Sequence, residues 1–145
     1  MGLFLFALAG MEGVAYLSHR YVMDGALWCL HRSHHEPQTG WFELNDVFGI
    51  FFALPSIALI YMGTHGTPWA LPLGVGMTAY GFCYFMFHDV IVHRRVALSW
   101  RPGGRYFDRI IKAHHIHHST HQRVGAVSFG FLWSPPPSRL RANRR

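Results

Sequence analysis

Apolar residues dominate three long stretches of the chain and polar residues cluster between and after them. Gly2 to Leu17 carries a single charge, Glu12, while Val47 to Met62 and Trp69 to Phe87 carry none. At 1.5 Å rise per residue each stretch reaches roughly 24 to 28 Å, near the lower limit for a helix that crosses the hydrocarbon core. None shows the period-two alternation of a half-buried strand. The pattern predicts an all-α integral membrane bundle with three to four membrane-embedded helices, joined to more polar helices outside the hydrocarbon. A secretory signal is a poor reading of the first stretch, because no basic segment precedes it and His19 and Arg20 follow where small residues would be expected.

Length and charge refine this picture. The 145 residues fit one domain, drawn at 1–138 with a basic tail at 139–145. All 13 Lys and Arg residues lie in two segments, Arg20 with Arg32 after the first stretch and the remainder from Arg94 onward; "GTHGTP" between the second and third has none. Both basic segments share one side if each stretch crosses, and the positive-inside rule makes that side cytoplasmic. The charge of +6 is therefore a topology signal and a contact for membrane lipid, and it implies no nucleic-acid partner. Cys29 and Cys83 form no C-x-x-C pattern and are expected to be buried free thiols. Three consecutive prolines after Ser134 predict a non-helical tail.

The candidate chemistry lies in twelve histidines. His31, His34 and His35 form H-x-x-H-H, and so do His114, His117 and His118; His88 and His93 are five apart; His19 opens "HRYVMD", which ends in Asp24. The topology places these boxes on one membrane face and leaves His65 on the other. Residues three and four apart share a helical face, so each triplet offers two imidazoles to one ion and a third to its neighbour. A five-residue spacing needs a helix end or a bend. Without His65, His115 and His121, nine histidines and Asp24 remain, too many for one four-coordinate ion and suited to two. Nitrogen ligands point to iron and oxygen chemistry above calcium or magnesium.

Residues outside the boxes carry weaker signals. Glu12, Tyr16, His19 and Met23 share one helical face, and Glu12 either supports a ligand histidine or sits near the outer half of its span. Tyr80, Tyr84 and His88 share another face, and read first as aromatic packing. Gly74, Gly76 and Gly81 suit close helix approach. Asn45 or Asp46 reads first as the N-cap of the second span, with orientation of the boxes as the alternative.

The segments "HRYVMD", "HRSHHEP", "GWFELND", "TAYGFCYFMFHDVIVH", "AHHIHH" and "GAVSFGFLW" together resemble the bacterial β-carotene hydroxylases of the fatty acid hydroxylase and sterol desaturase superfamily, over Gly10 to Ser138. The resemblance implies an integral membrane, non-haem di-iron monooxygenase that uses dioxygen to hydroxylate carotenoid β-ionone rings at C3, giving zeaxanthin by way of β-cryptoxanthin. Some members act on ketocarotenoids. It implies His19, His31, His34, His35, His88, His93, His114, His117 and His118 as iron ligands. Asp24 departs from the family's histidine, with a carboxylate that can still ligate iron. No G-x-G-x-x-G after a strand and no P-loop occurs, so electrons are expected from a soluble donor such as ferredoxin or an NAD(P)H-linked reductase. The rivals are a hydroxylase, desaturase or ketolase on another lipid, and a non-catalytic membrane metal-binding protein.

Overall fold

The computed structural model describes residues 1–37 and 40–143. Gln38 and Thr39 of the "HEPQTG" segment and the last two arginines of the basic tail lie outside the described residues. The described residues form helices and connecting loops, with no strand among them. Helix α1 runs Gly2–Leu17 and continues through a π-helical segment, Ser18–Ala26. A short helix α2, Trp28–His31, passes into a 3₁₀ turn, Arg32–His35. Helix α3 covers Asp46–Thr64; α4 covers Ala70–Tyr84 and continues through a second π-helical segment, Phe85–Val92. Helix α5 is Arg105–His118, and α6 is Pro137–Asn143.

Three of these helices are long and apolar enough to cross a membrane: Gly2–Ala26, Asp46–Thr64 and Ala70–Val92. The first and third exceed the apolar stretches because their π-helical extensions carry on through polar residues. Helix α4 packs between α1 and α3. Glycine sets both approaches, since lipid gives helices little hydrophobic reason to associate and close backbone contact must do so. A Cβ at Gly74 would lie 2.8 Å from the Ile60 side chain and 2.9 Å from Ser56 O, and one at Gly76 would lie 2.6 Å from Phe4 O and 2.8 Å from the Ala7 Cβ. Gly81, expected to serve the same purpose, faces open space. Ser56 Oγ donates to Gly74 O at 3.0 Å and meets Thr78 Oγ1 at 2.7 Å, adding polar glue at the α3–α4 contact. The outer face of α3 is bare, with Phe51 and Ile57 well over half exposed, as a lipid-facing surface requires.

The polar helices gather at one end of this bundle. Helix α5 is amphipathic and buries Ile110, Ala113, His114, Ile116 and His117. The segment that follows bears a residue with positive φ other than glycine, Ser128 at 70°. Three prolines do not exclude a helix in the tail. Pro137 is the first residue of α6, where its missing N–H has no helical partner to lose and its fixed φ already suits the helix; Leu140 N–H donates back to Pro136 O at 3.3 Å. Leu140 is only 3% exposed and packs against Ala113, Ile116 and Val127, so the described part of the tail belongs to the folded body. Cys83 is half-buried and Cys29 exposed, so the expected burial of both thiols does not hold, although both are free.

Candidate metal centre

Each five-residue box sits on a π-helical segment. In an α-helix residues five apart point about 140° apart around the axis, whereas i→i+5 bonding stacks them on one side. The signature bonds are present: His93 N–H donates to His88 O at 2.9 Å, and Leu27 N–H to Val22 O at 2.7 Å. The His88 and His93 rings are consequently 4.5 Å apart, and His19 Nε2 is 3.5 Å from Asp24 Oδ2. A backbone kink at Gly25 ends the first segment and turns the chain into α2.

Ten side chains converge. His34, His88, His93, His114 and His118 place one ligand atom each within 4.8 Å of one another, and so do His19, Asp24, His31 and His117. His35 stands beside the second of these groups, its Nε2 3.2 Å from His31 Nε2 and 3.8 Å from Asp24 Oδ1. Each triplet therefore divides between the groups. His114 and His118 face one and His117 the other; His31 and His35 face one and His34 the other. His121 stands in neither group; its Nδ1 donates to the His35 carbonyl at 3.0 Å. His115 is exposed, and His65 bonds Tyr61 O and Thr64 at the far end of α3.

The hydrogen bonds around the rings determine what their centres can hold. His31 Nδ1 donates to Asn45 Oδ1 at 2.7 Å, His34 Nδ1 to Glu43 Oε2 at 2.9 Å, and His88 Nδ1 to Asp89 Oδ1 at 3.2 Å. Backbone carbonyls accept three more: Phe129 O from His19 at 3.1 Å, Thr120 O from His35 at 2.8 Å, Val127 O from His117 at 3.2 Å. A neutral imidazole with its proton on Nδ1 has a bare lone pair on Nε2. Yet Nε2 meets Nε2 at 2.9 Å between His34 and His88, at 3.1 Å between His19 and His31, and at 3.2 Å between His31 and His35. These contacts are not hydrogen bonds, because neither partner has a proton to give. Burial closes the alternative of a charged ring: it pushes His31 and His93 down to about 4 and lowers His34, His35, His114, His117 and His118, with repulsion from neighbouring histidines adding to most of them.

Lone pair against lone pair is stable only around a cation. The spacing agrees, since two nitrogens at right angles around an ion at about 2.1 Å are about 3.0 Å apart. Asp24 makes the same case. Both its oxygens are buried without a hydrogen-bond partner, as are His117 Nε2 and His118 Nε2. Its carboxylate faces His19, His31, His35 and His117 nitrogens at 3.5 to 3.9 Å. An unpaired buried carboxylate among lone pairs costs several kcal/mol, and a bound cation removes that cost. The residues fit two metal ions, one beside Asp24 and one ringed by histidine alone.

Several supports were not foreseen, or were ranked second. The side chains of Glu43 and Asn45 turn to His34 and His31; Asn45 is at the N-cap position of α3 but makes no side-chain cap bond. Arg95 clamps Asp46 at 2.7 and 2.8 Å and Asp89 at 3.3 Å, and so fixes the carboxylate on His88. Glu12 reaches no histidine. Tyr84 stacks on His88 at 4.6 Å, so its face borders the centre. Phe129 and Phe131 wall it on the remaining side, Phe131 stacked on His19 with centroids 5.2 Å apart. A cavity of about 470 Å³ lined by Tyr16, Arg20, Val127, Phe129 and Trp133 extends to Asp24.

Comparison with known families matches residues 4–135 to the family described as fatty acid hydroxylase. The chain belongs to that family. A beta-carotene hydroxylase of Pantoea ananas is 49% identical over 137 residues, 94% of this chain and 78% of that protein. A beta-carotene hydroxylase of Pseudescherichia vulneris is 46% identical, covering 95% of this chain and 78% of its own. A chloroplastic beta-carotene 3-hydroxylase of Gentiana lutea is 37% identical over 89% of this chain and 41% of its own. No solved structure matches. These relatives are named for the substrate class that the six quoted segments imply.

Proposed function

We propose that the chain is a non-haem di-iron monooxygenase that hydroxylates carotenoid β-ionone rings at C3, converting β-carotene to zeaxanthin through β-cryptoxanthin. The observation that carries the metal reading is the set of Nε2 lone pairs held against one another in both groups, with the unpartnered Asp24 carboxylate buried in one of them. The substrate class is supported by the bacterial relatives named beta-carotene hydroxylase, and the ring position by the relatives named beta-carotene 3-hydroxylase.

In this reading His34, His88, His93, His114 and His118 hold one iron, and His19, Asp24, His31, His35 and His117 the other. The iron pair, when bound, supplies the dioxygen-dependent oxidation of a ring C–H bond. The chain's residues do the rest. Nδ1–H bonds to Glu43, Asn45, Asp89 and three backbone carbonyls hold six of the nine rings in one tautomer and one plane. Burial of the histidines excludes bulk water. The cavity reaching Asp24 has the volume to take a ring end, and its Tyr16, Phe129 and Trp133 surfaces suit an apolar ligand that arrives from lipid. The basic residues lie on the face of the boxes, which the positive-inside rule assigns to the cytoplasmic side of the bacterial inner membrane. That face suits an acidic electron donor such as ferredoxin, or an NAD(P)H-linked reductase.

Expression in a β-carotene-accumulating host with chromatography of the pigments tests the reading. Zeaxanthin and β-cryptoxanthin are the expected products. Unchanged β-carotene, with the protein inserted in the membrane and a redox partner active, contradicts it. A gain on Asp24→His would locate an iron-binding weakness at that position.

A further inference from the structure

Glu12 is a charged residue in the first span, about two turns before His19, and the metal centre does not use it. Its carboxylate is nevertheless fully engaged. Oε2 accepts from Tyr80 OH at 2.7 Å, and the two oxygens together accept the backbone N–H groups of Phe131, Leu132 and Trp133 at 3.0 to 3.2 Å. Three successive N–H groups aimed at one anion form a backbone nest. The nest leaves no room at Gly130, where a Cβ would lie 2.5 Å from Trp133 O and 2.8 Å from Glu12 Oε1.

The nest is one end of the segment that serves the centre. Residues just before it supply the Val127 and Phe129 carbonyls that accept from His117 and His19. Phe131, whose own N–H is in the nest, stacks on His19 and meets Tyr84 and His88 with its edge. We infer that Glu12 is a positioning residue: it ties residues 127–133 to the first span, and through them sets the tautomers of His19 and His117 and the aromatic wall of the centre. The inference rests on the di-iron reading above. Charge suits the task, because in a low-dielectric setting a carboxylate holds several N–H donors more firmly than a neutral acceptor does.

The test uses the full-length chain, iron-loaded in membranes with its redox partner, and compares the parent with Glu12→Gln, Gly130→Ala, the double variant and Tyr80→Phe. An amide oxygen replaces one of the two acceptors, and its NH₂ faces N–H groups. Mössbauer spectra should show an altered iron signal in Glu12→Gln at unchanged helical content. Reductant consumed per hydroxyl formed should rise at least threefold. Gly130→Ala should reproduce both effects, and the double variant should be no worse than the more impaired single variant. If Glu12→Gln fails to accumulate, Gly130→Ala and Tyr80→Phe carry the test, the latter with a smaller shift in the same direction. A parental spectrum in Glu12→Gln overturns the inference, as does a double variant whose losses multiply. A parent that binds iron but leaves β-carotene unchanged counts against the proposed substrate; the spectral comparison then still tests Glu12.

Discussion

Replacing Asn45 with alanine should weaken iron binding without weakening the helix it begins. Asn45 is 5% exposed, and its Oδ1 takes the His31 Nδ1 proton at 2.7 Å. Its side chain makes no cap bond to α3, so the usual cost of losing an N-cap does not arise. Alanine removes the acceptor of the His31 N–H. The metal-free ring is free to change tautomer or turn, whereas a ring bound through Nε2 must keep its proton on Nδ1, so a cost of about 1 to 3 kcal/mol falls on the bound state. At about 1.4 kcal/mol per factor of ten, this is roughly a 5- to 150-fold loss of affinity at the ion His31 faces, in line with the roughly 10- to 100-fold typical of residues that orient metal ligands. Competition against a chelator, with iron counted per chain, measures the effect. One of two irons should be released at about 5- to 150-fold lower chelator activity than in the parent. Asn45→Asp, which keeps an acceptor, should retain the iron. Asn45→Ala holding both irons as tightly as the parent would refute the reasoning.

Other predictions follow from packing and charge. Gly76→Ala should destabilise the bundle by about 1 to 3 kcal/mol, because the new methyl meets α1 backbone; Gly81→Ala, facing open space, should be neutral or stabilising, and thermal unfolding in detergent separates them. Leu140→Ala should cost about 2 to 5 kcal/mol by opening a cavity between α6 and α5; a cost near zero on denaturant titration would mean that α6 does not pack. Without metal, the protein should lose stability as pH falls. The folded state holds His31 and His93 down to about 4, while unfolded rings take up protons near the ordinary value of 6.5, so protonation favours unfolding between those limits. A melting temperature constant from pH 7 to pH 5 would contradict this.

The membrane spans and the gathering of the boxes were legible because both follow from local pattern: apolar runs with at most one charge and long enough to cross, and histidines at the ends of those runs. The five-residue spacing of His88 and His93 announced a departure from α-helical geometry, and the π-helical segment is its form. What lay beyond reach depends on distant partners. Asn45 and Asp46 precede the second apolar stretch and read first as helix caps; only the folded chain places His31 beside Asn45 and His34 beside Glu43. Glu12 gave a signal, a carboxylate in an apolar span, but its backbone partners lie about 120 residues away in a loop. The tail misled because proline was read as a breaker at every position, whereas Pro137 occupies the first turn of α6, where proline is at home. Gly81 misled because a glycine in an apolar run carries no mark of which side faces a neighbour.

The central claim is a pair of irons held by ten residues of one chain. Metal analysis of protein purified from iron-supplemented cells, with Mössbauer spectroscopy of the same sample, tests it most directly. The account predicts two irons per chain in two distinguishable environments, one with a carboxylate ligand from Asp24 and one ringed by histidine alone. One zinc per chain, or a single iron environment at one ion per chain, would contradict it.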